Sequence, residues 1–257
     1  KIMAATRQAT DLTLCVRMRV SSNYSKLSLA AKFGAEQEDM ASLLMATRQA
    51  ADALGICFHV GSQAMSPAAY AQALARVRAA ASDVYKRQVD VIDVGGGFPS
   101  VYPGMEPPPL EAYFRQIHRA FEELPISYSA ELWCEPGRAL CAEYASLLVR
   151  VERRRGDELY INDGAYGALF DAAHINWRFP VQLVRETESD AKTAAFSFYG
   201  PTCDDMDYMA GPFELPADVT TGDYIEIGML GAYGSAMRTA FNGFGTVDTA
   251  IVDDEPM

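Results

Sequence analysis

The 257-residue chain is 49% hydrophobic and 22% charged, enough apolar content for a sizeable core and too much for wholesale disorder. Its net charge of −12 sets it against nucleic acid and anionic membrane surfaces and suits a cationic ligand. Five cysteines (Cys15, Cys57, Cys134, Cys141 and Cys203), odd in number and without a CxxC pair, argue against a disulfide framework or a zinc site and for a reducing, cytoplasmic compartment.

No apolar run nears the ~18 residues that a membrane helix needs, and no signal-peptide pattern is present. The opening KIMAATRQAT lacks an initiator Met and reads as the middle of a helix, so the chain is read as the remainder of a longer protein. The first half then alternates. LTLCVRMRV (12–20) predicts a strand, residues 36–54 a helix, ICFHVGS (56–62) a strand and the alanine-rich 67–81 a helix. VDVIDV (89–94), LEAYFRQIHRAFEEL (110–124) and ISYSAELWCEPG (126–137) continue as strand, helix, strand. This spacing predicts parallel βα units, from an open sheet or a (β/α)8 barrel of which about half the strands are here. SDVYKRQ (82–88) should hand a helix over to a strand yet offers no Gly or Pro, and nothing is built on it.

From about Tyr144 the long helices stop. ASLLVRVERRR, ELYIND, FPVQLVRE, AAFSFYG, DYIEIGM and TVDTAIVDD are short alternating runs divided by Gly, Pro and Asp, which predicts a β-rich sandwich or barrel domain. The expected organisation is therefore α/β over 1–143 followed by all-β over 144–257.

Three glycines, Gly95, Gly96 and Gly97, follow the apolar VDVIDV. They form either a tight structural turn or a loop that lets backbone N–H groups meet an anion closely. The pattern is neither GxGxxG nor GxxxxGK[ST], so a dinucleotide fold or a Walker loop is unsupported. Other predicted strand ends place His59 and Ser62 in HVGS and Glu135 and Arg138 in CEPGR, while Tyr233 stands in GAYG. Together these residues supply N–H groups, an Arg, a Ser and a Tyr, which suit one phosphate, and they also supply a flat ring and one carboxylate.

The set FHVGSQ, DVGGGFP, CEPGR, GPTCDDMD and GAYGSAMRTAFNGF, in order along the whole chain, resembles the pyridoxal-phosphate decarboxylases of the alanine-racemase fold type. Within them it is most similar to the ornithine/lysine decarboxylases. GPTCD is the most discriminating element, since the related diaminopimelate decarboxylases resemble GPxCES there. The resemblance implies the C-terminal part of a pyridoxal-phosphate-binding (β/α)8 barrel followed by a β domain, a basic amino acid substrate, and a homodimer whose active sites are shared across a two-fold axis.

It also implies roles. Gly95, Gly96, Gly97, Ser62, Arg138 and Tyr233 would hold the phosphate. His59 would stack on the ring, with Arg17 approaching from the side. Glu135, as a buried carboxylate, would face the pyridine nitrogen and keep it protonated. Cys203 would be the catalytic thiol that returns a proton to Cα. Asp171 and Asp204 would meet the distal ammonium of the substrate. Asp207 and Lys32 are expected in a salt bridge, across a subunit interface.

The family's Schiff-base lysine lies in a strand resembling F-x-V-K-x-N, and none of Lys1, Lys26, Lys32, Lys86 and Lys192 has that context. The chain alone is therefore expected to be inactive. The alternatives are a non-catalytic regulatory relative acting by protein binding, a diaminopimelate-type decarboxylase, or a barrel racemase, which should lack GPTCD.

Overall fold

The computed structural model describes residues 1–83 and 89–257, so all of SDVYKRQ beyond Asp83, Lys86 included, lies outside the described residues. The chain forms two compact units, 1–100 with 107–139 and 101–106 with 140–257. The break thus falls at Leu140 rather than at the expected 144, and a short excursion of the first half belongs to the second unit. The reason is aromatic: Tyr102 packs edge-on to Trp177 and Phe179, with centroids 5.2 and 5.8 Å away.

In the first unit a four-residue helix α1 (Ile2–Ala5) precedes β1 (Thr13–Arg17). There follow β2 (Ser25–Leu27), α2 (Gln37–Ala50), β3 (Ala53–Cys57), β4 (Ser62–Ala64), α3 (Ala68–Asp83), β5 (Val91–Asp93), α4 (Leu110–Glu122) and β6 (Glu131–Trp133). β1, β3, β5 and β6 form one parallel sheet in chain order, the arrangement that the βα spacing predicts. The strands are shorter than their apolar runs. In place of one strand over 56–62 there is β3, then a loop, then β4 paired antiparallel with β2.

One face of the sheet packs on the helices. Leu54, Ile56 and Ile92 are buried there with Met40 and Leu44 of α2 and Tyr70, Leu74 and Val77 of α3. In α4 Tyr113 and Ile117, four apart, lie on the buried face. Ser66 accepts the Ala68 N–H at 3.3 Å, and Pro67 precedes α3, where its missing N–H costs nothing.

A helical turn α5 (Arg138–Cys141) is followed by the β-rich unit: β7 (Leu147–Arg155), β8 (Glu158–Ile161), α6 (Phe170–His174), β9 (Val181–Val184), β10 (Thr193–Tyr199), β11 (Tyr208–Pro216) and β12 (Tyr224–Ile227). Six strands form one mixed sheet in the order β11-β10-β8-β7-β12-β9. Val149, Val151, Ile225, Ile227, Phe196 and Phe198 alternate into its core, and Phe198 stacks on Phe213 at 4.0 Å.

Two expectations fail here. TVDTAIVDD forms no strand: Ile251 and Val252 are 96% and 68% exposed, because an alternating run becomes a strand only when a neighbour takes its N–H and C=O groups. Conversely β11 was overlooked, since Gly211 and Pro212 interrupt its pattern. It lies at the edge of the sheet, where a proline is tolerated. Among the described residues no helix is long and apolar enough to cross a membrane.

Candidate active site

Because β1, β3, β5 and β6 run parallel, their C-terminal ends share one edge. Arg17, Cys57, Asp93 and Trp133 stand side by side in register along it. Just beyond, the Phe58 N–H donates to the Asp93 carbonyl (3.1 Å) and the Val94 N–H to the Trp133 carbonyl (3.0 Å), so the loops leave the sheet together. The buried Asp93 carboxylate accepts the Gly95 N–H at 2.8 Å and sets the start of the glycine turn.

The three glycines are required by space and by conformation. Gly95 and Gly97 have φ of +66° and +99°. A Cβ on Gly95 would strike the Phe58 carbonyl oxygen, and one on Gly97 the Gly61 carbonyl oxygen. A Cβ on Gly96 would stand 2.8 Å from the Glu135 carbonyl oxygen and 3.1 Å from His59 Nε2, so three strand ends converge on this residue.

The glycine carbonyls all turn back into the protein. Gly95 O accepts the Glu135 N–H (2.9 Å), Gly96 O the Tyr70 hydroxyl (3.0 Å) and Gly97 O the Ala64 N–H (2.9 Å). A trans peptide points its N–H opposite to its C=O. The N–H groups of Gly96 and Gly97 are therefore aimed away from the core, and no described residue accepts from either. Phe98 anchors the far side of the turn, stacked on Tyr70 at 5.0 Å and edge-on to Tyr113 at 6.5 Å.

His59 is half-buried. Its Nδ1 accepts the Gly61 N–H at 3.0 Å, which leaves the proton of the neutral ring on Nε2. Burial, and then the Arg17 guanidinium, push its pKa below the ordinary histidine value, with Asp93 acting the other way. Ser62 opens β4, next to the loop against which Gly97 packs. Arg138 is buried, and its carbonyl accepts the Ser100 hydroxyl at 3.1 Å. The Glu135 side chain is exposed, not buried as its expected role asks, because β6 is an outer strand of the sheet and little packs over the residues that follow it. Burial pushes the Cys57 thiol up to about 12 and moves Cys15 and Cys134 in the same direction, so these three are weak nucleophiles at neutral pH.

The remaining predicted residues belong to the second unit. Cys203 and Asp204 lie on the loop between β10 and β11, lining a cavity of about 690 Å³ with Tyr160, Tyr199, Thr202 and Phe244. The Tyr166 hydroxyl donates to Asp204 Oδ2, and the Met206 N–H donates to Oδ1 at 2.9 Å. These two bonds hold the Asp204 carboxyl below the usual carboxylate range. Cys203 is exposed, with the Asn242 side-chain amide 3.1 Å from its Sγ. Asp171 sits in α6, and its carbonyl accepts the Trp177 N–H at 3.1 Å. Tyr233 has φ +68°, and its carbonyl accepts the Met237 N–H at 3.1 Å.

Asp207 is 1% exposed and accepts the Ala165 N–H (2.7 Å), the Thr202 N–H (3.1 Å) and the Thr202 hydroxyl (2.8 Å), so its carboxylate is engaged within its own unit. It thereby ties the Cys203 loop to the NDGAYG turn, while Lys32 stands over the Phe33 ring at 5.2 Å.

Sequence reasoning overlooked four residues that hold this loop with Asp207: Asp163, Tyr166, Arg238 and Asn242. Asp163 Oδ2 pairs with Arg238 at 2.6 Å, and its Oδ1 accepts the Gly164 and Ala168 N–H groups, each at 2.8 Å. One signal was available: GAYG occurs twice, at 164–167 and 231–234.

The family model described as pyridoxal-dependent decarboxylase, pyridoxal binding domain, matches residues 1–142, and the chain belongs to this family. A lysine/ornithine decarboxylase of Selenomonas ruminantium is 32% identical over 94% of this chain and 61% of its own length. Antizyme inhibitor 2 of Xenopus laevis is 29% identical over 95% of this chain and 57% of its own. Among solved structures, a lysine/ornithine decarboxylase from Vibrio vulnificus complexed with cadaverine matches with a TM-score of 0.78 at 26% identity, covering 98% of this chain and 66% of that one. The arginine decarboxylase of Paramecium bursaria Chlorella virus gives 0.78 at 27%, covering 91% and 64%. The chain spans about three fifths of the length of the curated relatives it matches. Its fold is of the alanine-racemase type, βα units of a barrel followed in the chain by a β domain.

Pyridoxal phosphate is the cofactor of this family. The first unit fits it on its own geometry: two outward N–H groups on a turn with no room for side chains, an imidazole against the middle glycine, and a carboxylate one loop away.

Proposed function

We propose that this chain supplies the cofactor-holding strand ends and the proton-donor loop of a pyridoxal-phosphate-dependent decarboxylase acting on a basic amino acid. Ornithine, giving putrescine, is the first candidate and lysine, giving cadaverine, the second. The observation that carries this reading is the glycine turn: the Gly96 and Gly97 N–H groups face outward beside His59 and the Glu135 loop, in a chain whose family binds this cofactor. The activity is proposed for a longer protein that includes this chain, because no lysine here has the context of the family's cofactor-bonding lysine.

When bound, the cofactor accepts the electron pair left on Cα as CO2 departs. Gly96 and Gly97, with Ser62, Arg138 and Tyr233, would bind its phosphate, and Gly95, its N–H given to Asp93, would shape the turn that presents them. His59 is neutral at neutral pH, so it stacks on a ring without adding charge. Glu135 accepts a hydrogen bond from the ring nitrogen and holds it protonated. Cys203 gives a proton to Cα, and Asp204 and Asp171 pair with the distal ammonium. The homodimer with shared sites rests on the resemblance alone, and residence in the cytoplasm on the cysteine usage.

A second reading, a non-catalytic relative acting by protein binding, is favoured by the match to antizyme inhibitor 2. Retention of Cys203, Glu135 and the phosphate set speaks for the enzyme. The longer protein, given an equimolar mixture of ornithine, lysine and arginine with pyridoxal phosphate, should release one amine in excess. Release of no amine from any of the three ends the decarboxylase reading.

A further inference from the structure

We propose that Asn242 is a positioning residue for the Cys203 thiol. The inference rests on the reading of Cys203 as the acid that protonates Cα. The Asn242 amide nitrogen lies 3.1 Å from Sγ and donates to it, while the amide oxygen stands 3.9 Å away.

The amide is aimed by its backbone. Asn242 has φ +57°, the left-handed region that side chains other than Asn and Asp rarely adopt. The segment that carries it is held at three points. Arg238 pairs with the buried Asp163 at 2.6 Å, the Thr239 N–H donates to the Tyr166 carbonyl at 2.8 Å, and the Phe241 ring lies 4.6 Å from that of Tyr166. Tyr166 in turn donates to Asp204. Neighbouring residues of one loop are thus each held by a side chain, Asp204 by Tyr166 and Cys203 by Asn242.

The chemistry follows from the donor. When the thiol acts as an acid, the S–H bond breaks, its electron pair stays on sulfur, and the proton goes to Cα, whose own pair forms the new C–H bond. An N–H aimed at the sulfur stabilises the charge left there. The amide oxygen, at 3.9 Å, is in turn an acceptor for the S–H, so the one side chain faces both the thiol and the thiolate.

The test is the reactivity of Cys203 in the chain itself. Iodoacetamide labelling at neutral pH is followed at each cysteine peptide by mass spectrometry, the other four serving as internal references. Asn242→Asp keeps the size and the left-handed backbone but replaces the donor with a negative charge, and should slow labelling of Cys203 alone about tenfold. Asn242→Gly keeps the backbone and removes the amide, and should slow it severalfold. It carries the test if the Asp variant does not fold. Rates within twofold of the original in the folded variants overturn the proposal. A Cys203→Ala change that leaves amine production by the longer protein intact overturns instead the reading of Cys203 as the acid, and the labelling result still decides the role of Asn242.

Discussion

The phenol of Tyr166 donates a hydrogen bond to the carboxylate of Asp204, 38 residues further along the chain. That bond joins a turn after β8 to the loop before β11, and it makes the carboxylate harder to protonate and the phenol harder to ionise: Asp204 titrates below the usual carboxylate range and Tyr166 above the usual phenol. Tyr166→Phe should therefore bring the Asp204 titration back toward its ordinary value, the Met206 N–H keeping part of the shift. Carboxyl carbon NMR, with Asp204→Asn to assign the signal, measures this. A carboxyl held low stabilises the fold fully at neutral pH and loses that contribution as pH falls through its own titration, so the variant should also show a smaller acid-side loss. An unmoved Asp204 signal would mean that the phenol is not its partner in solution.

His59 gives a second pH effect of opposite origin. Its neutral form is favoured by burial first and by Arg17 second. As pH falls through the unfolded histidine value of about 6.5, the unfolded chain takes up a proton that the folded chain refuses, and stability drops until His59 itself titrates. Arg17→Met should raise the His59 titration without restoring it fully, since burial remains. Ring carbon-bound proton signals of the three histidines, followed from pH 4 to 8, report it. No change would place Arg17 away from the imidazole.

Two glycines at strand-end loops should respond very differently. Gly97→Ala puts a Cβ against the Gly61 carbonyl at φ +99° and should cost about 1–3 kcal/mol or more, with weaker binding of pyridoxal phosphate. Gly137→Ala meets nothing within 4 Å and should stay within about 0.5 kcal/mol. Urea unfolding and an absorbance titration with the cofactor separate the two. Equal losses would remove the argument that space and backbone together dictate the glycine turn.

The Asp163–Arg238 pair is 6% and 12% exposed. Arg238→Met leaves a buried carboxylate with only two N–H donors and should destabilise by about 3–5 kcal/mol. The double change Arg238→Met with Asp163→Asn should recover part of that, because no uncompensated charge remains. Urea midpoints of the four proteins form the cycle. Simple additivity would show that the pair is not coupled.

Much of this was open to a reading of residues alone. Alternation of apolar runs with amphipathic helices is a local property, and it leads to parallel βα units because each element must bury one face. GGG after an apolar strand and CEPGR after another marked the ligand end for the same reason: strand ends in a parallel sheet lie together whatever their side chains. The number of strands and their borders were less open. β3 and β4 share one apolar run, the alternating TVDTAIVDD stays unpaired, and β11 forms through a Gly-Pro, since a strand is decided by the neighbour that accepts its hydrogen bonds. The exposure of Glu135 and the burial of Asp207 follow from which strands lie at the edge and what packs over them, and no local pattern carries that. The same is true of the bonds from Tyr166 to Asp204 and from Asn242 to Cys203. They join segments 38 and 39 residues apart, and only the packing of the β unit brings a phenol and an amide to a carboxylate and a thiol that the motif GPTCDD had already singled out.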